Sequence, residues 1–169
     1  MAKSCFDQFN GSFFVAQACA NAMAEQNKSA IAAANASSAP IPIAGSIIFI
    51  ASIATHIAST AQHISTYAAS KAAIRGLVKP LAMELAEYGI RVNSLSPGYM
   101  MTDMMRTLQQ QQPTLVAQFE KETLFRRIGY PDELKGAILF LASQASGWYT
   151  GQDLLVDGGA TSWKHPAPL

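Results

Sequence analysis

The sequence predicts an α/β protein built on a small parallel sheet, and three observations carry that expectation. Ser46-Ile47-Ile48-Phe49-Ile50-Ala51-Ser52 is a short apolar run rich in β-branched residues, the signature of a buried strand. Its apolar residues are continuous rather than alternating, which suits a parallel strand covered on both faces. A long run from about Thr66 to Tyr88 then spaces Ala72, Ala73, Leu77, Leu81 and Leu85 for the buried side of a helix. Gly89–Leu95 and Leu154–Val156 follow as further strands. Strands separated by helices are the pattern of a parallel sheet.

Taken in order, Phe6 to Gln26 reads as the first helix, with Phe9, Phe13, Phe14, Ala16, Ala20 and Met23 at roughly helical spacing. Lys28 to Pro42 is rich in Ser, Ala and Asn and closes on Pro40-Ile41-Pro42. It reads as a flexible surface loop, long for a connection inside a compact domain. The first strand follows and ends on Ser52. In the helix from Thr66, Pro80 removes a hydrogen bond and bends the axis locally. Glu84 and Glu87 belong to its solvated face. Arg91-Val92-Asn93 opens the second strand and Pro97-Gly98 ends it. Asp103 to Leu124 holds Gln109-Gln110-Gln111-Gln112 and Pro113, and predicts two short helices broken near Pro113. Pro131-Asp132-Glu133-Leu134 opens a helix through about Ser143, with proline and acids in its first turn.

Composition bounds the function. At 169 residues the chain suits one domain, and with 50% hydrophobic and 14% charged residues it is globular rather than disordered. A net charge of +1 without a basic run argues against nucleic acid or a polybasic membrane anchor as partner. No stretch approaches the ~18 apolar residues of a membrane span, and the first residues lack the apolar core of a signal peptide. Cys5 and Cys19, if on one helix, lie ~21 Å apart along its axis, beyond the ~7 Å that a disulfide bridges. No His/Cys spacing suggests a metal site. A cytoplasmic setting fits.

The chemistry centres on Tyr67-Ala68-Ala69-Ser70-Lys71. On a helix, Tyr67 and Lys71 share a face. A phenol titrates near ~10 and is a poor proton donor or acceptor at neutral pH. A cation held beside it favours the phenolate and lowers its pKa, so that it can exchange a proton with a carbonyl or alcohol oxygen. An isolated Tyr–Lys pair at this spacing is most simply an exposed helix pair; Ser52 at the end of a parallel strand changes that, because ligands bind outside the carboxyl ends of such strands. His56 and His63 lie between Ser52 and Tyr67. A Ser/His hydrolase is disfavoured, because no GxSxG elbow occurs and no acid is obviously placed to orient either ring. His165, in a Pro-containing tail, carries no functional weight.

The ordered set of Ser52, Tyr67-Ala68-Ala69-Ser70-Lys71, Arg91-Val92-Asn93-Ser94-Leu95-Ser96-Pro97-Gly98, Thr102 and Val156-Asp157-Gly158-Gly159 resembles the short-chain dehydrogenase/reductase family over nearly the whole chain. The Ser52–Tyr67 separation, the Ser96-Pro97-Gly98-Tyr99-Met100 turn and the segment Pro131–Ala137 resemble its mannitol dehydrogenase and sorbose reductase branch. The resemblance implies a Rossmann-type doubly wound parallel sheet and hydride transfer between a nicotinamide and a ketone or alcohol, either a polyol–ketose pair or a secondary-metabolite carbonyl. It makes Ser52, Tyr67 and Lys71 catalytic: Ser52 holds the substrate oxygen, Tyr67 passes the proton, and Lys71 depresses the tyrosine pKa and binds the nicotinamide ribose. Tyr67, Lys71, Pro97, Gly98, Met100 and Thr102 become cofactor-binding residues. The branch implies NADP; the residues that select it over NAD follow the family's second strand, which this sequence does not contain.

The same resemblance implies that residues 28–42 are an insertion, that residues 103–128 form a substrate lid, and that the helices 6–26 and 66–88 pair with those of a second copy in a homo-oligomer. The family's catalytic asparagine falls, counting back from Gly11, on Gln8. The TGxxxGxG loop that cradles cofactor phosphates at a helix N-terminus is absent. The 169 residues therefore read as a single truncated domain, the C-terminal part of such a sheet without its first βαβ units, with the edge of the first strand left open. The alternative function is a catalytically impaired remnant acting at most as a dimerisation or interaction module.

Overall fold

A computed structural model describes residues 2–59 and 62–163, with side chains from Asp7 onward. His165 and the side chain of Cys5 lie outside the described residues. Three strands, β1 (Gly45–Ile50), β2 (Ile90–Pro97) and β3 (Asp153–Val156), form one parallel sheet in that spatial order. Gly45 pairs with Ile90 and Ser94 with Asp153. The sheet has β2 at its centre, and the first seven residues of that strand are buried. Among the described residues the outer edge of β1 is unpaired, as expected.

One face of the sheet carries α1 (Ala2–Ser37), α2 (Ser65–Gly76) and α3 (Val78–Leu85). Ile47, Phe49, Ile90 and Val92 meet Ala16, Ala20, Ile74, Val78 and Ala82 there. The small alanines of α1 let that helix approach closely. The other face carries α6 (Lys135–Ala142), whose Leu141 is fully buried. The buried Arg91 guanidinium donates to the carbonyls of Leu141 (2.9 Å) and Ser143 (3.1 Å) at the end of α6, a cation placed where a helix leaves carbonyls unpaired.

Three expectations need correction. Residues 28–37 are not loop: α1 runs 36 residues to Ser37, and only 38–44 connect it to β1. Ala30, Ala32, Ala33, Ala34 and Ala36 are the best helix formers available, and Ala34 is buried. Asn27, also buried, donates to the carbonyls of Pro42 (3.3 Å) and Tyr88 (3.1 Å), pinning the return of the chain against α1. The helix from Thr66 is two segments that part at Leu77. Pro80 supplies no N–H to the carbonyl of Gly76, the fault foreseen in the sequence. The burial of β1 alternates, and Ile50 is 46% exposed. Its continuous apolar run reads as two-sided cover, whereas the described α6 covers its second face only in part.

Residues 103–121 form α4 (Asp103–Gln111) and α5 (Pro113–Lys121), broken at Gln112 as Pro113 requires. The excursion leaves and returns at one point: Met101 N donates to Gly129 O (2.7 Å) and Gly129 N to Tyr99 O (2.9 Å). Met105, Val116, Phe119 and Ile128 give it a small core of its own.

Candidate active site

β1 delivers Ser52. The chain leaves the strand at Ile50, Ala51 N still donates to Leu95 O (2.8 Å), and Ser52 becomes the N-cap of a 3-10 turn over Ile53–Thr55. Its buried Oγ accepts from Ala54 N at 3.2 Å. Capping fixes the direction of the hydroxyl at the strand's carboxyl end.

The first two turns of α2 deliver Tyr67 and Lys71. Tyr67 is 42% exposed and is not a core aromatic. Lys71 is half-buried, and its Nζ donates to Ile50 O at 3.0 Å. That bond ties the helix carrying Tyr67 to the strand end that leads to Ser52. Burial pulls the Lys71 ammonium below its usual 10.5, since a less hydrated cation is held less readily.

Beyond β2, Gly98 N donates to Val156 O (3.0 Å), which holds the Pro97–Thr102 turn against the end of β3. Thr102 caps α4, its Oγ1 accepting from Met105 N at 3.4 Å. Ser52, Tyr67, Lys71, Pro97, Gly98, Met100 and Thr102 all line one cleft of about 980 Å³ at the carboxyl end of the sheet. Every site residue expected from the sequence thus meets there. Gln8 does not: it is exposed on α1 and is not among the residues lining the cleft.

Two networks were missed, the second of them buried. His56 Nε2 lies 2.6 Å from Asp153 Oδ2, Arg75 Nη1 lies 2.8 Å from Nε2 and 3.0 Å from Nδ1 of the same ring, and Ser94 and Ser96 donate to the same carboxylate at 2.6 and 2.9 Å. An acid therefore does orient His56, but the serines bond the acid and not the ring, so no hydrolase relay forms. Asp153 is 97 residues from His56, a separation at which sequence carries no local signal. The second network centres on Glu122, 3% exposed, which accepts from Tyr99 Oη (2.6 Å), Ser59 Oγ (3.0 Å) and Gln118 Nε2 (3.4 Å).

A family model described as enoyl-(acyl carrier protein) reductase matches residues 9–161. The chain is 42% identical over 153 residues to a sorbose reductase of Schizosaccharomyces pombe, covering 90% of this chain and 52% of that protein. The chain belongs to the short-chain dehydrogenase/reductase family. A ribulose-forming D-arabinitol 2-dehydrogenase of Candida albicans is 37% identical over 154 residues, 90% of this chain and 50% of its own length. A crystal structure of a gluconate 5-dehydrogenase from Burkholderia cenocepacia, in complex with NADP and tartrate, superposes with a TM-score of 0.77 at 38% identity. It covers 93% of this chain, which in turn spans 54% of that one. The chain spans about half the length of the short-chain dehydrogenase/reductase relatives it matches. The matched span holds the strand that leads to Ser52, the Tyr67–Lys71 helix and the Pro97–Thr102 turn.

Proposed function

We propose that this chain carries the proton-transfer site and the nicotinamide end of an NADP-dependent reductase that interconverts a ketone and its alcohol. The observation that carries the reading is the convergence of Ser52, Tyr67 and a desolvated Lys71 on one cleft. The cleft suits the nicotinamide end of the cofactor: Lys71 and the backbone of the Pro97–Thr102 turn line it together. Bound there, a reduced nicotinamide would supply a hydride to the carbonyl carbon. Ser52 Oγ donates a hydrogen bond to the carbonyl oxygen and orients it. Tyr67 Oη releases its proton to that oxygen, and Lys71 stabilises the phenolate left behind. In the reverse direction the phenolate takes the alcohol proton. NADP is favoured by the gluconate 5-dehydrogenase neighbour, whose crystal holds it. Phe14 and Val15 on α1 and Met83 on α3, 62–73% exposed, favour pairing with a second copy through those helices. No helix among the described residues is long and apolar enough to cross a membrane. A cytoplasmic setting fits a reaction that draws on reduced nicotinamide.

The test is NADPH fluorescence titration on the purified 169-residue chain, followed by ketone reduction at the highest cofactor concentration. Cofactor binding energy outside the reacting end normally fixes that end, and residues 1–169 contain no TGxxxGxG loop. Binding weaker than micromolar and slow turnover are therefore expected. Tyr67→Phe should lower turnover by at least about 100-fold, far more than it weakens binding. Turnover that survives this change refutes the proton role. Absence of binding at millimolar NADPH leaves the second reading, an interaction module built on the exposed Phe14, Val15 and Met83.

A further inference from the structure

We infer that the cleft takes an apolar carbonyl compound rather than a polyhydroxylated one. This rests on the oxidoreductase reading above and narrows its substrate. Away from the seven residues already placed, the cleft is walled by Ile57, Ile64, Tyr99, Met104, Leu108 and Phe119, among others. Lys71 is the sole charged side chain among the described lining residues. Three hydroxyls of the wall already donate elsewhere, and a fourth accepts from backbone. Tyr99 Oη and Ser59 Oγ donate to Glu122, which is buried behind the wall and does not line the cleft. Thr107 Oγ1 donates to Asp103 O at 3.0 Å, and Thr102 Oγ1 caps α4. Burial, and next the Glu122 carboxylate, raise the Tyr99 pKa, so the phenol keeps its proton and keeps donating inward. Its ring lies flat on Phe119, centroids 4.4 Å apart and planes 8° from parallel, and presents carbon rather than oxygen as wall.

A ketose brings a hydroxyl on nearly every carbon. Ser52 and Tyr67 are taken by the reacting oxygen, and the amides of Gln62 and Gln111 serve a few hydroxyls at most. Each hydroxyl enclosed without a partner loses roughly 5- to 150-fold in affinity. An apolar ketone suffers no such loss and meets the thioether of Met104, a side chain that adapts its shape to varied apolar surfaces and is 79% exposed without a ligand. The relatives named above act on sorbose and arabinitol by name; this wall is built for something else.

The experiment is saturation-transfer-difference NMR on the 169-residue chain without cofactor, comparing acetophenone with L-sorbose. Acetophenone is expected to bind at least about tenfold tighter. Met104→Asp, an exposed position that leaves the fold intact, and Leu108→Asp should each weaken it about tenfold. Sorbose binding as tightly as acetophenone, no transfer to either ligand, or acetophenone transfer unchanged in both variants overturns the inference. The NADPH titration with Tyr67→Phe runs on the same sample. Failure there with acetophenone preference intact removes the reductase reading alone, and sorbose preference with Tyr67-dependent turnover removes only the substrate class.

Discussion

Gly98 sits where the Pro97–Thr102 turn presses on the end of β3, and it gives a sharp test of how that turn is held. A Cβ added there would stand 2.7 Å from Asp157 Cα, 2.9 Å from its Cβ and 3.1 Å from its carbonyl oxygen. Asp157 has little room to yield, because its carboxylate accepts from Gly159 N (2.9 Å), Thr161 N (2.8 Å) and Thr161 Oγ1 (2.7 Å). The turn must therefore move by about 1 Å to restore ordinary contact. Such overpacking costs roughly 1–3 kcal/mol, and loss of the Gly98 N–Val156 O bond adds about 1 kcal/mol. Gly98→Ala should then lose about 2–4 kcal/mol, or about 4–16 °C in Tm for a chain of this size. Gly136 in α6 is the control, since nothing lies within 4 Å of its added Cβ. There alanine replaces a glycine in the first turn of α6 and should gain up to about 1 kcal/mol. The assay is thermal unfolding of both variants, with NADPH titration alongside: only Gly98→Ala should weaken binding. Shifts of the same sign in the two variants, or a neutral Gly98→Ala, would refute the close-approach argument.

Two further outcomes follow from the packing and the charges. Leu141→Ala empties a fully buried site between α6 and the sheet and should cost about 2–5 kcal/mol in urea unfolding; a loss below about 1 kcal/mol would mean that α6 collapses freely onto β1 and β2. Glu133 is held at about 2, below its usual 4.5, first by the Arg127 guanidinium (2.6 and 2.8 Å) and then by Tyr130 N. A carboxyl depressed on folding gives stability that is present above 4.5 and lost as pH falls through about 2. Glu133→Gln should flatten the urea-midpoint profile in that window, and parallel acid limbs for the two proteins would contradict it.

The fold was legible wherever its cause was local. The β-branched run of β1, the proline at Pro113 and the pairing of Tyr67 with Lys71 one turn on each announce their geometry within a few residues. The length of α1 was not legible, because Ser and Asn in 28–37 signal a loop while the alanines among them sustain a helix. What decides between them is Asn27 reaching carbonyls 15 and 61 residues away. The exposure of Ile50 was hidden in the same way, since a strand's own residues report the cover it is suited to and not the cover that lies on it.

The site divides along the same line. The groups proposed to react occupy one strand end and one helix turn, bound to each other by Lys71 Nζ and Ile50 O. Spacing along the chain is then nearly spacing in space, so the reaction type can be read from the sequence. The wall proposed to select the substrate is held by Glu122, 23 residues from Tyr99 and 63 from Ser59. Whether Tyr99 offers a hydroxyl or a ring to the cleft depends on where that one buried carboxylate lies. A change at Glu122 would leave every motif intact and should alter what the cleft admits.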